Sequence, residues 1–198
     1  MSLIFDIGQG AGLAGSSGVR PFLPPLLAGA LARGDVGLDF SGTSYAFLES
    51  SWWLVLLFAL AVASYLVERR RPELATSRQT EIGLGLLGMA FGALLFAGSL
   101  ADTDHTSWPG LIGGVACALL GFAAVGGLLR RTRRRLDGSA AAFLTAYADL
   151  ISLALAGLAI LFPPIAFVAL AGFVLLVISG RRAGGQKYEG LRVLGRDS

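Results

Sequence analysis

The chain alternates long apolar runs with short clusters of arginine, and this alternation leaves few folds open to it. About 20 apolar residues are what an α-helix needs to cross a bilayer. Inside hydrocarbon, only helices and closed barrels satisfy their own backbone hydrogen bonds. Six such runs can be read, over 3–33, 51–67, 82–100, 109–129, 139–162 and 163–180. With 55% hydrophobic residues, 15% charged residues and a mean hydropathy of +0.70, the 198 residues leave no room for a sizeable soluble module. The expected fold is all-α: a polytopic membrane helical bundle of about six passages, forming a single integral membrane domain over 1–198.

The charges then orient the runs. Glu68-Arg69-Arg70-Arg71 and Arg78 follow the second passage, and Arg130, Arg131, Arg133, Arg134 and Arg135 follow the fourth. Arg181, Arg182, Lys187, Arg192 and Arg196 follow the sixth, so 181–198 reads as a cytoplasmic tail. The alternate connections hold Asp35, Asp39 and Glu49, then Asp102 and Asp104, then only Phe162-Pro163-Pro164. Basic loops stay on the cytoplasmic side. This predicts both termini in the cytoplasm, provided that the first run counts as one passage. A re-entrant hairpin in its place would put the N-terminus outside. Trp52, Trp53 and Trp108 fall at the outer interface, where indole rings favour the headgroup level. The net charge of +3 is thus a signature of topology rather than of nucleic-acid binding. The N-terminus lacks the basic region of a cleaved signal peptide.

Within the first run, Ser16-Ser17-Gly18-Val19-Arg20-Pro21 predicts a break. Arg at a helix centre costs roughly 2.5 to 3.5 kcal/mol on insertion scales, and proline removes a backbone donor and opposes helix before it. A helix restarting at Pro21 would present its N-terminal N–H groups to an anion. Arg20 would add a planar guanidinium suited to carboxylate or phosphate. Besides Arg20, the ionisable groups inside apolar runs are Asp6 and Asp149. Thr145, Asp149 and Ser152 share one face of the fifth passage by i, i+4, i+7 spacing. Asp149 lies at a depth that makes it the expected partner of Arg20. The pair either clasps the broken helix to the fifth passage or lines a cavity in which one member exchanges its partner for substrate.

Other chemistry finds no support. The single histidine, His105, sits in an outer loop beside Asp102 and Asp104, and the single cysteine, Cys117, lies in an apolar run. Metal, cofactor and nucleophile–base sets are therefore not expected. Gly88 and Gly92, with Gly110 and Gly114, are spaced for close helix packing in lipid, either within one subunit or across a homodimer.

Gly18-Val19-Arg20-Pro21-Phe22-Leu23-Pro24, Gln79-Thr80, Asp149 and the Lys187-Tyr188-Glu189-Gly190-Leu191-Arg192-Val193-Leu194 tail resemble a family of small bacterial membrane proteins, the domain of unknown function 4126 family. The resemblance implies a multi-pass helical fold in the bacterial inner membrane and no established activity. The acidic pair common in that family's fifth passage is reduced here to Ala148-Asp149. The reading that emerges is a non-enzymatic membrane protein that binds and transports an anionic or lipid-like substrate at the break, among membrane lipids. Ser16, Ser17, Gly18, Arg20, Thr145 and Asp149 would form the site. The alternative is a non-transporting scaffold or accessory subunit in which the charges are clasps.

Overall fold

A computed structural model describes residues 3–71, 77–103, 105–133 and 138–193. Asp104, and the side chains of the basic residues at 130–135 and 181–196, lie outside the described positions. Among the described residues there are seven α-helices and one 3₁₀ turn, and no strand. They are α1 (Leu3–Val19), α2 (Leu23–Ala32), the 3₁₀ turn Ala46–Glu49, α3 (Ser51–Arg70), α4 (Arg78–Ala101), α5 (Trp108–Arg133), α6 (Gly138–Leu161) and α7 (Pro163–Val193). Four of these, α3, α4, α5 and α7, are long and apolar enough over their described residues to cross a membrane. The segment expected as a tail continues α7 in helix as far as Val193.

The helix boundaries follow from local chemistry. Ser77 caps α4 by accepting the Thr80 N–H. Pro163 and Pro164 cannot continue α6, but they fit the first turn of α7. The bundle has two chemically distinct ends. Arg69, Arg70 and Arg71 close α3 and Arg78 opens α4 at the basic end. The connections 33–50, 102–107 and 162–163 lie at the acidic end. Over that end folds the segment between α2 and α3, whose Leu38, Phe40 and Leu48 are buried against Leu13, Leu95 and Ile160. Trp52 and Trp108 are exposed there, as an interfacial belt requires, whereas Trp53 turns inward onto Phe47 and Phe91.

Helix α1 is the centre of the fold, and its direction corrects the expected topology. Its first turns meet the acidic end, where the Ser99 hydroxyl donates to the Asp6 carbonyl and Gly8 abuts Pro163. Its last turns lie deep in the bundle, against Ala118 of α5 and the α4 backbone at Gly88. Helix α2 then returns. Phe22 packs on Leu57 and Phe91, while at its far end Arg33 donates to the Glu49 carbonyl and the Ser51 hydroxyl. The first run is therefore a re-entrant hairpin that enters and leaves at the acidic end, with its turn at Arg20–Phe22. Since α7 starts beside Gly8 and runs parallel to α1, with Ala166 beside Gly12 and Leu170 beside Gly15, the start of α1 and the far end of α7 lie at opposite ends of the bundle, where the charge parity predicted one side. At a rise of about 1.5 Å per residue, α2 is only about 15 Å long, too short to span.

The glycine faces are used up within this core. A Cβ on Gly88 would meet the Ser17 carbonyl, on Gly92 the Ala118 side chain, on Gly110 the Ala97 backbone, and on Gly114 the Gly92 carbonyl. They pack α1, α4 and α5 together within one subunit. The tightest approach is at Gly18, where any side chain would collide with the Ala118 carbonyl oxygen.

Candidate functional site

Arg20 stands at the tip of the re-entrant hairpin, held by groups from two other helices. Its Nη1 donates to Oε1 of Glu68 at 2.7 Å, in the last turn of α3, and its Nη2 lies 3.5 Å from Glu68 Oε2. The Nε lies 2.5 Å from Oδ1 of Asp149 on α6, and Nη2 also donates to the Thr145 carbonyl at 3.4 Å. The Nε–H does not point along the Asp149 contact, so charge attraction rather than a directed hydrogen bond joins them. The Arg20 and Glu68 side chains are 16% and 17% exposed and Asp149 is 30% exposed, so the cluster is shielded but not sealed. Its depth follows from helix geometry. Asp149 is eleven residues into α6, about 16 Å from that helix's start.

The cluster closes one end of a cavity of about 280 Å³. Phe22, Leu23 and Leu26 of the hairpin form one wall, and Phe58, Ala61, Val62 and Tyr65 of α3 form another, with Leu84 of α4 opposite. Arg20, Glu68 and Asp149 supply the charge in a lining that is otherwise apolar apart from Ser64 and the Tyr65 hydroxyl. Phe58, Val62 and Tyr65 are themselves exposed on the bundle's outer surface. Helix α3 is peripheral, with only 6% of its apolar stretch buried. Its acidic half packs on α2 and the 3₁₀ turn, and at its basic end the Glu68–Arg20 pair ties it to the hairpin. The cavity therefore opens sideways, toward what would be hydrocarbon.

The remaining expected site residues are placed differently. Ser16 and Ser17 do not interrupt the helix. Both hydroxyls bond back to the Leu13 carbonyl at 2.9 Å, and α1 stays helical through Val19. Ser152 of α6 donates to the Ser16 carbonyl at 3.0 Å, and Gly18 serves close packing, so none of the three faces the cavity. Thr145 contributes its carbonyl to Arg20. The N-terminus of α2 is also a poorer anion cradle than expected. Of its first three residues Leu23, Pro24 and Pro25, only Leu23 carries an N–H. Glu68 is the partner that sequence reasoning passed over, because it adjoins the arginine run at a passage end. Its signal was an acidic residue directly before Arg69-Arg70-Arg71 on an otherwise apolar helix. With Asp149 it gives Arg20 two carboxylate partners.

A family model described as domain of unknown function (DUF4126) matches residues 7–182. The chain belongs to this family. The match takes in the hairpin, the cavity walls and both carboxylates of the cluster. No curated protein and no solved structure matches the chain.

Proposed function

We propose that this DUF4126 protein is a membrane-embedded binder of a lipid-like amphiphile, which enters sideways from the bilayer and is moved across it. The observation that carries this reading is the laterally open apolar cavity that ends on the Arg20–Glu68–Asp149 cluster. At about 280 Å³ it lies near the lower end of the ~300–1,000 Å³ usual for ligand pockets. Its walls suit an acyl chain and its charged end suits a headgroup. A small free anion is less well served, because the guanidinium fork is already engaged by two carboxylates and a carbonyl. A headgroup phosphate or carboxylate would take the place of Glu68 on Arg20, releasing the basic end of α3, while Asp149 remains as the counter-charge. The orientation follows from the arginine-rich end lying in the cytoplasm, which puts the N-terminus on the opposite face.

A second reading, a non-transporting scaffold or accessory subunit, is favoured by one fact: Arg20 ties the hairpin to both α3 and α6. Native mass spectrometry of the protein excised in its own bilayer, followed by lipid extraction, separates the two. On the binding reading a defined amphiphile stays with the protein, and Phe58→Trp, which narrows the cavity mouth, displaces it without unfolding. Retention of only the bulk lipid mixture, unchanged by Phe58→Trp, would favour the scaffold.

A further inference from the structure

At the other end of α1, fourteen residues and about 21 Å from Arg20, lies a second charged site that the amphiphile cavity does not use. Asp6 is 1% exposed, and among the described residues its Oδ2 has no hydrogen-bond donor. Gln9 lies one turn along α1 and donates from Nε2 to the Gly37 carbonyl at 2.7 Å, which turns its Oε1 toward α4. There a single hydroxyl, Ser99 Oγ, sits 3.2 Å from the Asp6 carbonyl and 3.5 Å from Gln9 Oε1. One hydroxyl thus serves a backbone carbonyl and an amide oxygen, and no donor reaches the Asp6 carboxylate oxygen Oδ2 one turn away on the same helix. Gly37 holds its place by a positive φ of +73°, with Ile160 where a side chain would go. The cage is therefore fixed by α1, α4 and the segment between α2 and α3.

Acceptors in excess of donors, in a buried site with a carboxylate, lack positive charge. The nearest basic group is His105, whose Nε2 is 3.8 Å from Asp6 Oδ2, beyond hydrogen-bond range and 41% exposed. Of the other charged groups at this end, Asp35, Asp39, Glu49 and Asp102 are acidic, and the one described arginine, Arg33, is turned to the Glu49 carbonyl and the Ser51 hydroxyl. Burial pushes the Asp102 carboxyl up, against a hydrogen bond from the Asp39 backbone, and the charges of Asp39, Asp6 and Glu49 add to the rise. A surface on which carboxylates outnumber cationic groups raises the local concentration of cations.

We infer that Asp6, Gln9 and Ser99 form a binding site for a small monovalent cation, sodium, at the acidic end beside His105. The ion would supply the missing positive partner of Asp6 without displacing any hydrogen bond, because the oxygens that hold it are underused. The site stands on its own geometry and does not depend on what fills the cavity around Arg20.

Thermal unfolding of the full chain in detergent tests this at constant ionic strength, with sodium replaced stepwise by N-methyl-D-glucamine at pH 7.5. Binding to the folded state alone raises the midpoint with ion concentration. If sodium is the occupant, the wild-type midpoint rises saturably with sodium, and Asp6→Asn abolishes the dependence. Ser99→Ala, a milder change should Asp6→Asn fold poorly, shifts half-saturation to higher sodium. A wild-type midpoint that does not respond to sodium, or a sodium response that survives unchanged in Asp6→Asn, would overturn the site.

Discussion

Replacing Arg20 by alanine tests what the cluster contributes to the fold. The substitution leaves Glu68 and Asp149 facing each other across the space that the guanidinium filled, where Arg20 now lies 2.7 and 2.5 Å from their oxygens. Removing one member of a buried ion pair costs about 3 to 5 kcal/mol, because the remaining charge stays desolvated. Exposures of 17% and 30% at the two carboxylates let some water reach them, which places the cost at the low end, about 3 kcal/mol. For a chain of this length that is a fall of about 6 to 12 °C in melting temperature. Neutralising the whole cluster with Arg20→Met, Glu68→Gln and Asp149→Asn together should recover most of that loss, since a neutral cluster of similar volume has no charge to desolvate. Thermal unfolding in lipid nanodiscs, followed by tryptophan fluorescence, reads both. If Arg20→Ala melts within about 1 kcal/mol of wild type, the ion pairs do not form in the membrane and the described site is wrong. A stable triple variant that no longer retains amphiphile would show that the cluster is there for binding as well as for holding helices together.

Four further outcomes follow from the geometry. Gly18→Ala puts a methyl group into the Ala118 carbonyl and should cost about 1 to 3 kcal/mol by forcing α1 away from α5, measured as a lowered melting temperature. In a Cys117→Ala background, Leu3→Cys and Arg71→Cys should react with a membrane-impermeant thiol reagent from opposite faces of sealed vesicles; labelling from the same face would exclude the re-entrant hairpin. Burial raises the Asp102 carboxyl at the acidic end, outside the spanning helices, so the folded state binds that proton more tightly than the unfolded chain. The stabilising contribution is full below the unfolded value and is lost as pH rises through the raised folded value. Asp102→Asn should therefore raise the melting temperature at neutral pH and leave it unchanged in acid. Asp39, lowered by hydrogen bonds from the Ser41 hydroxyl and backbone N–H, has the opposite sign. Its contribution is present above the unfolded value and is lost as pH falls through the folded one, and Ser41→Ala should weaken it.

Most of the helical frame was legible in the chain because hydrophobic length and arginine clusters mark where helices can begin and end in lipid. The run at 82–100 became Arg78–Ala101, the run at 139–162 became Gly138–Leu161, and the Pro163-Pro164 corner fell where proline geometry requires. The hairpin was not legible for a physical reason. Both of its arms are apolar, and loop charge counts only parity. What distinguishes a hairpin from one interrupted passage is long-range packing of Gly8 on Pro163 and of Arg33 on Ser51. Asp149 was found as the partner of Arg20 because two charges at similar depth in lipid have few other choices. Glu68 was not, since its place beside three arginines reads as a water-exposed helix end. Ser16 and Ser17 misled because polar side chains inside a helix can bond back to their own carbonyls and mark no break at all.

The central claim is that the cavity between the hairpin, α3 and α4 receives an amphiphile whose headgroup meets Arg20. An experimental density map of the protein in a lipid nanodisc tests it most directly. The account predicts elongated density along Leu26, Phe58 and Val62, ending within hydrogen-bond distance of Arg20 or Asp149. A map in which α3 closes onto α4, leaving Arg20, Glu68 and Asp149 in contact with no cavity beside them, would contradict it.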